Sequence, residues 1–143
     1  MIIDAVRSIT ILIAEDDPDD QLLTLEALAE NRIANAVHFV RDGQELLDCL
    51  RHVGSFAESP PLRPDLILLD LNMPRKDGRE ALAEIKSDPA LCSIPVVVLT
   101  TSRADEEIQR AYELGANSFI VKPVTFDGLV RAVRVLAQYW FSI

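Results

Sequence analysis

Acidic, hydroxyl and ammonium side chains stand where short apolar runs stop. Glu15 and Asp16 follow ILIA, Asp70 follows LILL, Thr100 follows VVVL and Lys122 follows SFIV. If the first and third runs are neighbouring strands, Glu15, Asp16 and Asp70 bring their carboxylates together, and such charges repel. A hard divalent cation relieves that repulsion, and Mg2+ typically takes one or two carboxylates together with water and phosphate oxygens. Thr100 and Lys122, on the same rim, add a hydroxyl donor and a positive charge around an anion placed over Asp70. A phosphoryl group in transfer fits, because its catalysis is chiefly positioning and neutralisation of charge on the equatorial oxygens. Asp70 is then the nucleophile and an aspartyl-phosphate the product. Each feature alone is more often a solvated cap than a site; the argument rests on their occurring together.

The elements that must position these residues are legible as alternation. Apolar runs at Ile9–Ala14, Ala36–Val40, Leu66–Leu69, Val96–Leu99 and Ser118–Val121 are short and rich in Ile, Val and Leu, as in strands buried on both faces of a parallel sheet. Helical periodicity lies between them at Pro18–Glu30, Gln44–Arg51, Arg79–Lys86, Ala104–Leu114 and Thr125–Tyr139. Asp17 before Pro18, Ser102 three residues ahead of Asp105, and Thr125 are helix-start signals, and Gly115 is a stop. The pattern predicts an α/β, doubly wound parallel sheet with right-handed crossovers, whose ligands bind outside the carboxyl ends of the strands. The long connection His52–Pro64, rich in Pro and Ser, reads as an exposed insertion or a partner-binding loop.

At 143 residues, 49% apolar and 26% charged, the chain has the size and composition of one domain, residues 1–143, with no room for a second. A net charge of -9 disfavours a nucleic-acid partner, since phosphate-backbone binding rests on Lys and Arg. No run reads as a secretory signal or a bilayer span, so a cytoplasmic protein with no membrane partner is expected. Cys49 and Cys92 lack metal or CxxC spacing and are expected to be small buried hydrophobes. His38 is expected to be structural, His52 an exposed loop residue, and Arg75 with Lys76 a solvated charge pair or a docking patch for an acidic partner.

The segments ILIAEDD, LILLDLNMPRKDG, VVVLTT and FIVKP, in this order, resemble the receiver domain of two-component response regulators over roughly Ser8 to Tyr139. The resemblance implies a flavodoxin-like five-stranded sheet of order 2-1-3-4-5 with five helices. It implies that Asp70 accepts its phosphoryl group from the phosphohistidine of a histidine kinase. Glu15 and Asp16 would form the acidic pair, Asp16 and Asp70 would reach Mg2+, and the Asn72 backbone carbonyl would be a further ligand. Thr100 would hydrogen-bond the phosphoryl group, Lys122 would pair with it, and the Lys122–Pro123 bond would be cis. Gly78 matches the turn glycine before the third helix. Departures are Glu15 where Asp is common, Thr101 where a small residue is frequent, and Phe119 where the switch aromatic is often Tyr.

Within that family, DLNMPRKDGREALAEIK, IPVVVLTTS and the terminal YW look most like stand-alone regulators of phytochrome-type kinases. With only WFSI after the last helical pattern, no linker to an output domain is expected. Signalling is then expected through protein contacts to a downstream phosphotransfer or output protein, with Thr100 drawn toward the phosphoryl group and Phe119 moving into the vacated space. Leu129, Val133, Leu136 and Trp140 repeat at helical spacing, as core residues do. Val130, Val135, Tyr139 and Phe141 add apolar surface beside them, which suggests a homodimer through Tyr139, Trp140 and Phe141.

Two other classes compete. A haloacid-dehalogenase-type phosphatase or phosphotransferase also uses Asp, Lys, a hydroxyl and Mg2+, but resembles a DxDxT pattern after the first strand, whereas here DLN follows the third. A phosphorylation-independent scaffold of the same fold would not need Asp16, Asp70, Thr100 and Lys122 together. A nucleotide-binding module is weaker still, as no Gly-rich phosphate loop follows any strand.

Overall fold

The computed structural model describes residues 9–31, 36–100 and 105–140. Strands β1 (Thr10–Ala14), β2 (Ala36–Val40), β3 (Leu66–Leu69), β4 (Val96–Thr100) and β5 (Ser118–Val121) alternate with helices α1 (Pro18–Glu30), α2 (Gly43–Arg51), α3 (Gly78–Ser87), α4 (Asp105–Glu113) and α5 (Phe126–Trp140). All strand pairs are parallel, and the order is β2-β1-β3-β4-β5. This is the doubly wound sheet expected from the alternation.

The period of two along each strand divides the core between the faces of the sheet. Leu12, Ala14, Ile67, Leu69, Val96 and Val98 pack with Leu46 and Leu47 of α2, Ala81, Leu82 and Ile85 of α3, and Ala111 of α4. Ile11, Ile13, Leu66, Leu68, Val97 and Leu99 pack with Ala27 and Leu28 of α1 and Leu129, Val133 and Leu136 of α5. Both faces are covered over β1, β3 and β4, which is why those strands read as unbroken apolar runs, whereas the edge strand β2 is partly exposed. Among the described residues no helix is long and apolar enough to cross a membrane.

Helix starts lie where side chains can satisfy the first free N–H groups. Asp17 accepts from the Asp19 N–H at 2.8 Å with Pro18 at the first helical position, and Thr125 Oγ1 accepts from the Gly128 N–H at 3.0 Å. Asp42 and Asp77 cap α2 and α3 and move both starts one residue earlier than periodicity indicates, to Gly43 and Gly78. Gly115 follows α4 with φ +109°, as a helix stop requires. The Ser102 cap lies outside the described residues. The long connection contains a short 3-10 turn at Gly54–Phe56.

Several expectations need correction. Cys49 is buried but Cys92 is exposed, because it belongs to the turn after α3 rather than to the buried run that follows. His52 is not merely a loop residue. It closes α2 in the left-handed region, and its Nε2 lies 2.5 Å from the Ser59 carbonyl oxygen, which folds the connection back on itself. Arg75 and Lys76 are not a freely solvated pair, for each is tied to an acid on another element: Arg75 to Asp42 at 3.3 Å and Lys76 to Glu84. His38 is exposed on β2.

Candidate functional site

Strand register builds the site. Ala14 pairs with Leu69, so the next residues, Glu15 and Asp70, leave the sheet side by side. Backbone bonds extend the ladder through them, from Glu15 N–H to Val40 O at 2.9 Å and from Asp70 N–H to Ala14 O at 3.1 Å. Thr100 pairs with Val121, which puts Lys122 next on the same rim.

Lys122 is the hub. Its Nζ lies 2.5 Å from Glu15 Oε1, 3.1 Å from Asp20 Oδ2 and 3.4 Å from Asp70 Oδ2. Burial alone would lower the pKa of this ammonium, but the Glu15 hydrogen bond, the charges of Asp70 and Glu15 and the Asp20 hydrogen bond outweigh it and raise the pKa. Glu15 shows the opposite balance. Its burial pushes the carboxyl above its ordinary value despite the Lys122 and Asp17 hydrogen bonds and the Lys122 charge, and the Asp70 charge pushes the same way. Asp17 N–H donates to Glu15 Oε2 at 3.1 Å and Gln21 Nε2 to the Glu15 carbonyl at 2.7 Å, which fixes Glu15 to the start of α1.

Glu15, Asp16 and Asp70 each offer an oxygen within 4.8 Å of the others, Glu15 buried, Asp16 exposed and Asp70 between. An all-oxygen carboxylate set with excess negative charge around one ammonium fits a hard divalent cation. Asp70 Oδ1 accepts from the Asn72 N–H at 2.9 Å, so the same short turn carries the carboxylate and the Asn72 carbonyl. Gly78 is required beneath it: a Cβ there would lie 2.5 Å from the Asp70 carbonyl oxygen and 2.6 Å from Leu71 Cα.

The structure therefore brings together Glu15, Asp16, Asp70 and Lys122, with Asn72 adjacent. Thr100 closes β4, but its side chain lies outside the described residues, as do Thr101, Ser102, Phe141 and the side chains of Tyr139 and Trp140. Phe119, on β5, is partly buried against the core face shared with α3 and α4. The Lys122–Pro123 bond is trans, since no cis peptide occurs among the described residues; trans is the intrinsically favoured isomer by about 0.5–1 kcal/mol. Asp20 was not foreseen. Its only sequence signal is an acid in the first turn of a helix, which ordinarily serves the helix dipole.

Residues 11–134 match the response regulator receiver domain family. Response regulator Rcp1 of Synechocystis sp. is 42% identical over 132 residues, which cover 92% of this chain and 88% of Rcp1. The crystal structure of the phosphorylated cyanobacterial phytochrome response regulator RcpA is 46% identical, with a TM-score of 0.87 over 95% of this chain and 96% of that one. The Mn2+-bound form of Rcp1 gives a TM-score of 0.83 at 42% identity, over 92% of this chain and 94% of that one. A carboxylate rim at the strand ends of this sheet, and a family match from β1 into α5, lead to one assignment: the chain belongs to the response regulator receiver domain family.

Proposed function

We propose that this chain is a response regulator receiver domain that accepts a phosphoryl group from a histidine kinase, of phytochrome type, onto Asp70, and signals through contacts that depend on that modification. The observation that carries the reading is Lys122 Nζ held among Glu15, Asp20 and Asp70 at the rim of the sheet.

In the reaction an Asp70 carboxylate oxygen bonds to phosphorus while the P–N bond to the kinase imidazole breaks and its electron pair returns to the ring. Asp70 lies between the Asn72 N–H and the Lys122 ammonium, which orient the carboxylate. Lys122 supplies positive charge beside the incoming oxygens, and Thr100 a hydroxyl from the end of β4. Glu15, Asp16, Asp70 and the Asn72 carbonyl would hold Mg2+, which when bound neutralises charge on the phosphoryl oxygens. Thr100 and Phe119 form the proposed switch, and Tyr139, Trp140 and Phe141 the proposed homodimer surface. The similarity to phytochrome response regulators supports a phytochrome-type kinase as donor.

A haloacid-dehalogenase-type phosphatase is not favoured, because the candidate nucleophile follows β3 and the family match covers most of the chain. The test is intact-protein mass spectrometry after incubation with acetyl phosphate, with and without Mg2+, beside Asp70→Asn. One Mg2+-dependent phosphoryl adduct, absent from the variant, is expected. A folded wild-type protein that takes no adduct would favour a phosphorylation-independent scaffold and overturn the reading.

A further inference from the structure

The loop between β3 and α3, Asp70 to Asp77, carries Asn72 and is anchored at its base and at its tip. At the base, Gly78 N–H donates to the Leu71 carbonyl at 3.0 Å, and Leu71 and Met73 are buried in the core. At the tip the anchor comes from the corner between β2 and α2. Gly43 N–H donates to the Lys76 carbonyl at 2.8 Å, with the backbones so close that a Cβ on Gly43 would lie 2.3 Å from that oxygen.

Beside this contact, Asp42 Oδ2 meets the Arg75 guanidinium at 3.3 Å, while Asp42 Oδ1 accepts from the Glu45 N–H at 2.8 Å and caps α2. The Asp42 side chain is only 7% exposed, whereas Arg75 is 60% exposed. Arg75 also has φ +61°, a left-handed conformation that is unfavourable for a residue with a Cβ. A strained residue persists where its surroundings over-determine it. Here the surroundings are the nearly buried carboxylate of Asp42 and the Gly43–Lys76 backbone bond.

We propose that Asp42 is a positioning residue for the acidic site: through its ion pair with Arg75 it holds the β3–α3 loop, and with it the Asn72 carbonyl, in the arrangement that binds a divalent cation. This rests on the reading of Glu15, Asp16, Asp70 and Asn72 as the metal site. It gives the RDG sequence at residues 41–43 and the RK pair at 75–76 one shared role, and it makes Arg75 a structural cation rather than a docking residue.

The test compares wild type with Asp42→Asn and Arg75→Gly, and with the double variant. Asn caps a helix about as well as Asp, so Asp42→Asn keeps the cap and weakens only the ion pair. Gly accepts positive φ, so Arg75→Gly removes the pair without adding strain. Mn2+ affinity is read by isothermal titration, and amide exchange across residues 71–77 is read in metal-free protein. Each single variant is expected to weaken Mn2+ binding about three- to tenfold and to speed loop exchange, with α2 protection unchanged. The double variant should be no worse than either single one, as for two members of one pair.

Unchanged Mn2+ affinity and unchanged loop exchange, in a wild type that binds Mn2+, would overturn the positioning role and leave the metal site standing. A wild type that takes up no Mn2+ would overturn the site and this proposal with it.

Discussion

Lys122 Nζ lies 2.5 Å from Glu15 Oε1, with both side chains nearly buried, so the site holds an ion pair before any phosphoryl group arrives. Removing one member of such a pair leaves an uncompensated buried charge. Lys122→Met should lower stability to denaturant by about 3 kcal/mol in metal-free buffer. Mg2+ should restore part of the loss, because the remaining carboxylates gain a second source of positive charge. Urea unfolding with and without Mg2+ reads both effects, and a variant as stable as wild type in metal-free buffer would contradict the role of Lys122 as the local counter-charge.

Gly78→Ala would force a Cβ to within 2.5 Å of the Asp70 carbonyl oxygen, which is backbone and cannot swing away. The expected cost is about 1–3 kcal/mol, as for other overpacked positions. Because the displaced backbone is that of Asp70 itself, the rate of adduct formation from acetyl phosphate should fall by more than stability alone explains. Equal rates for variant and wild type, at a temperature where both are folded, would show that the turn has slack the geometry does not suggest.

The Lys76–Glu84 pair carries a pH signature. The hydrogen bond from Lys76 holds the Glu84 carboxyl below its ordinary value of 4.5, burial opposes it, and the Lys76 charge and Arg51 add to the lowering. A carboxyl depressed in the folded state stabilises the fold above its unfolded pKa and loses that contribution as pH falls through the folded value. The stability gap between wild type and Lys76→Met should therefore be flat near neutrality and close below about pH 4.5. With Glu84 38% exposed, solvent screening limits the gap to about 0.2–1 kcal/mol. Denaturant unfolding across pH 3–7 (about four points) resolves the trend.

Phe119→Ala separates chemistry from signal. The residue is only partly buried, so the variant should lose less than the roughly 3–5 kcal/mol of a fully buried phenylalanine. It should form the phosphoryl adduct like wild type while the proposed phosphorylation-dependent change in the face made by α4, β5 and α5, read by amide exchange, falls several-fold. If that change persisted at full size, the proposed coupling of Thr100 to Phe119 would have to be abandoned.

Much of the molecule is local in origin. The β3 run Leu66–Leu69 and helix α1, Pro18–Glu30, have the bounds that apolar continuity and the Asp17-Pro18 start indicate, because both signals act within a few residues. The fold class followed from the alternation, and the candidate site from polar residues placed at strand ends. Boundaries slipped at Gly43 and Gly78, where a glycine at the first helical position reads as a turn although the preceding aspartate already caps the helix.

Tertiary structure alone decided the partners. Lys122 reaches Glu15 across 107 residues and Asp20 across 102, and Arg75 reaches Asp42 across the β2–α2 corner. Cys92 proved exposed because its turn sends Leu91 and Ile94 into the core and leaves Cys92 facing out. The sequence determined which residues could do the chemistry, since local propensity and charge are properties of short segments. Which of them meet depends on strand order and register, and those are settled only when the apolar faces of all five strands are buried together.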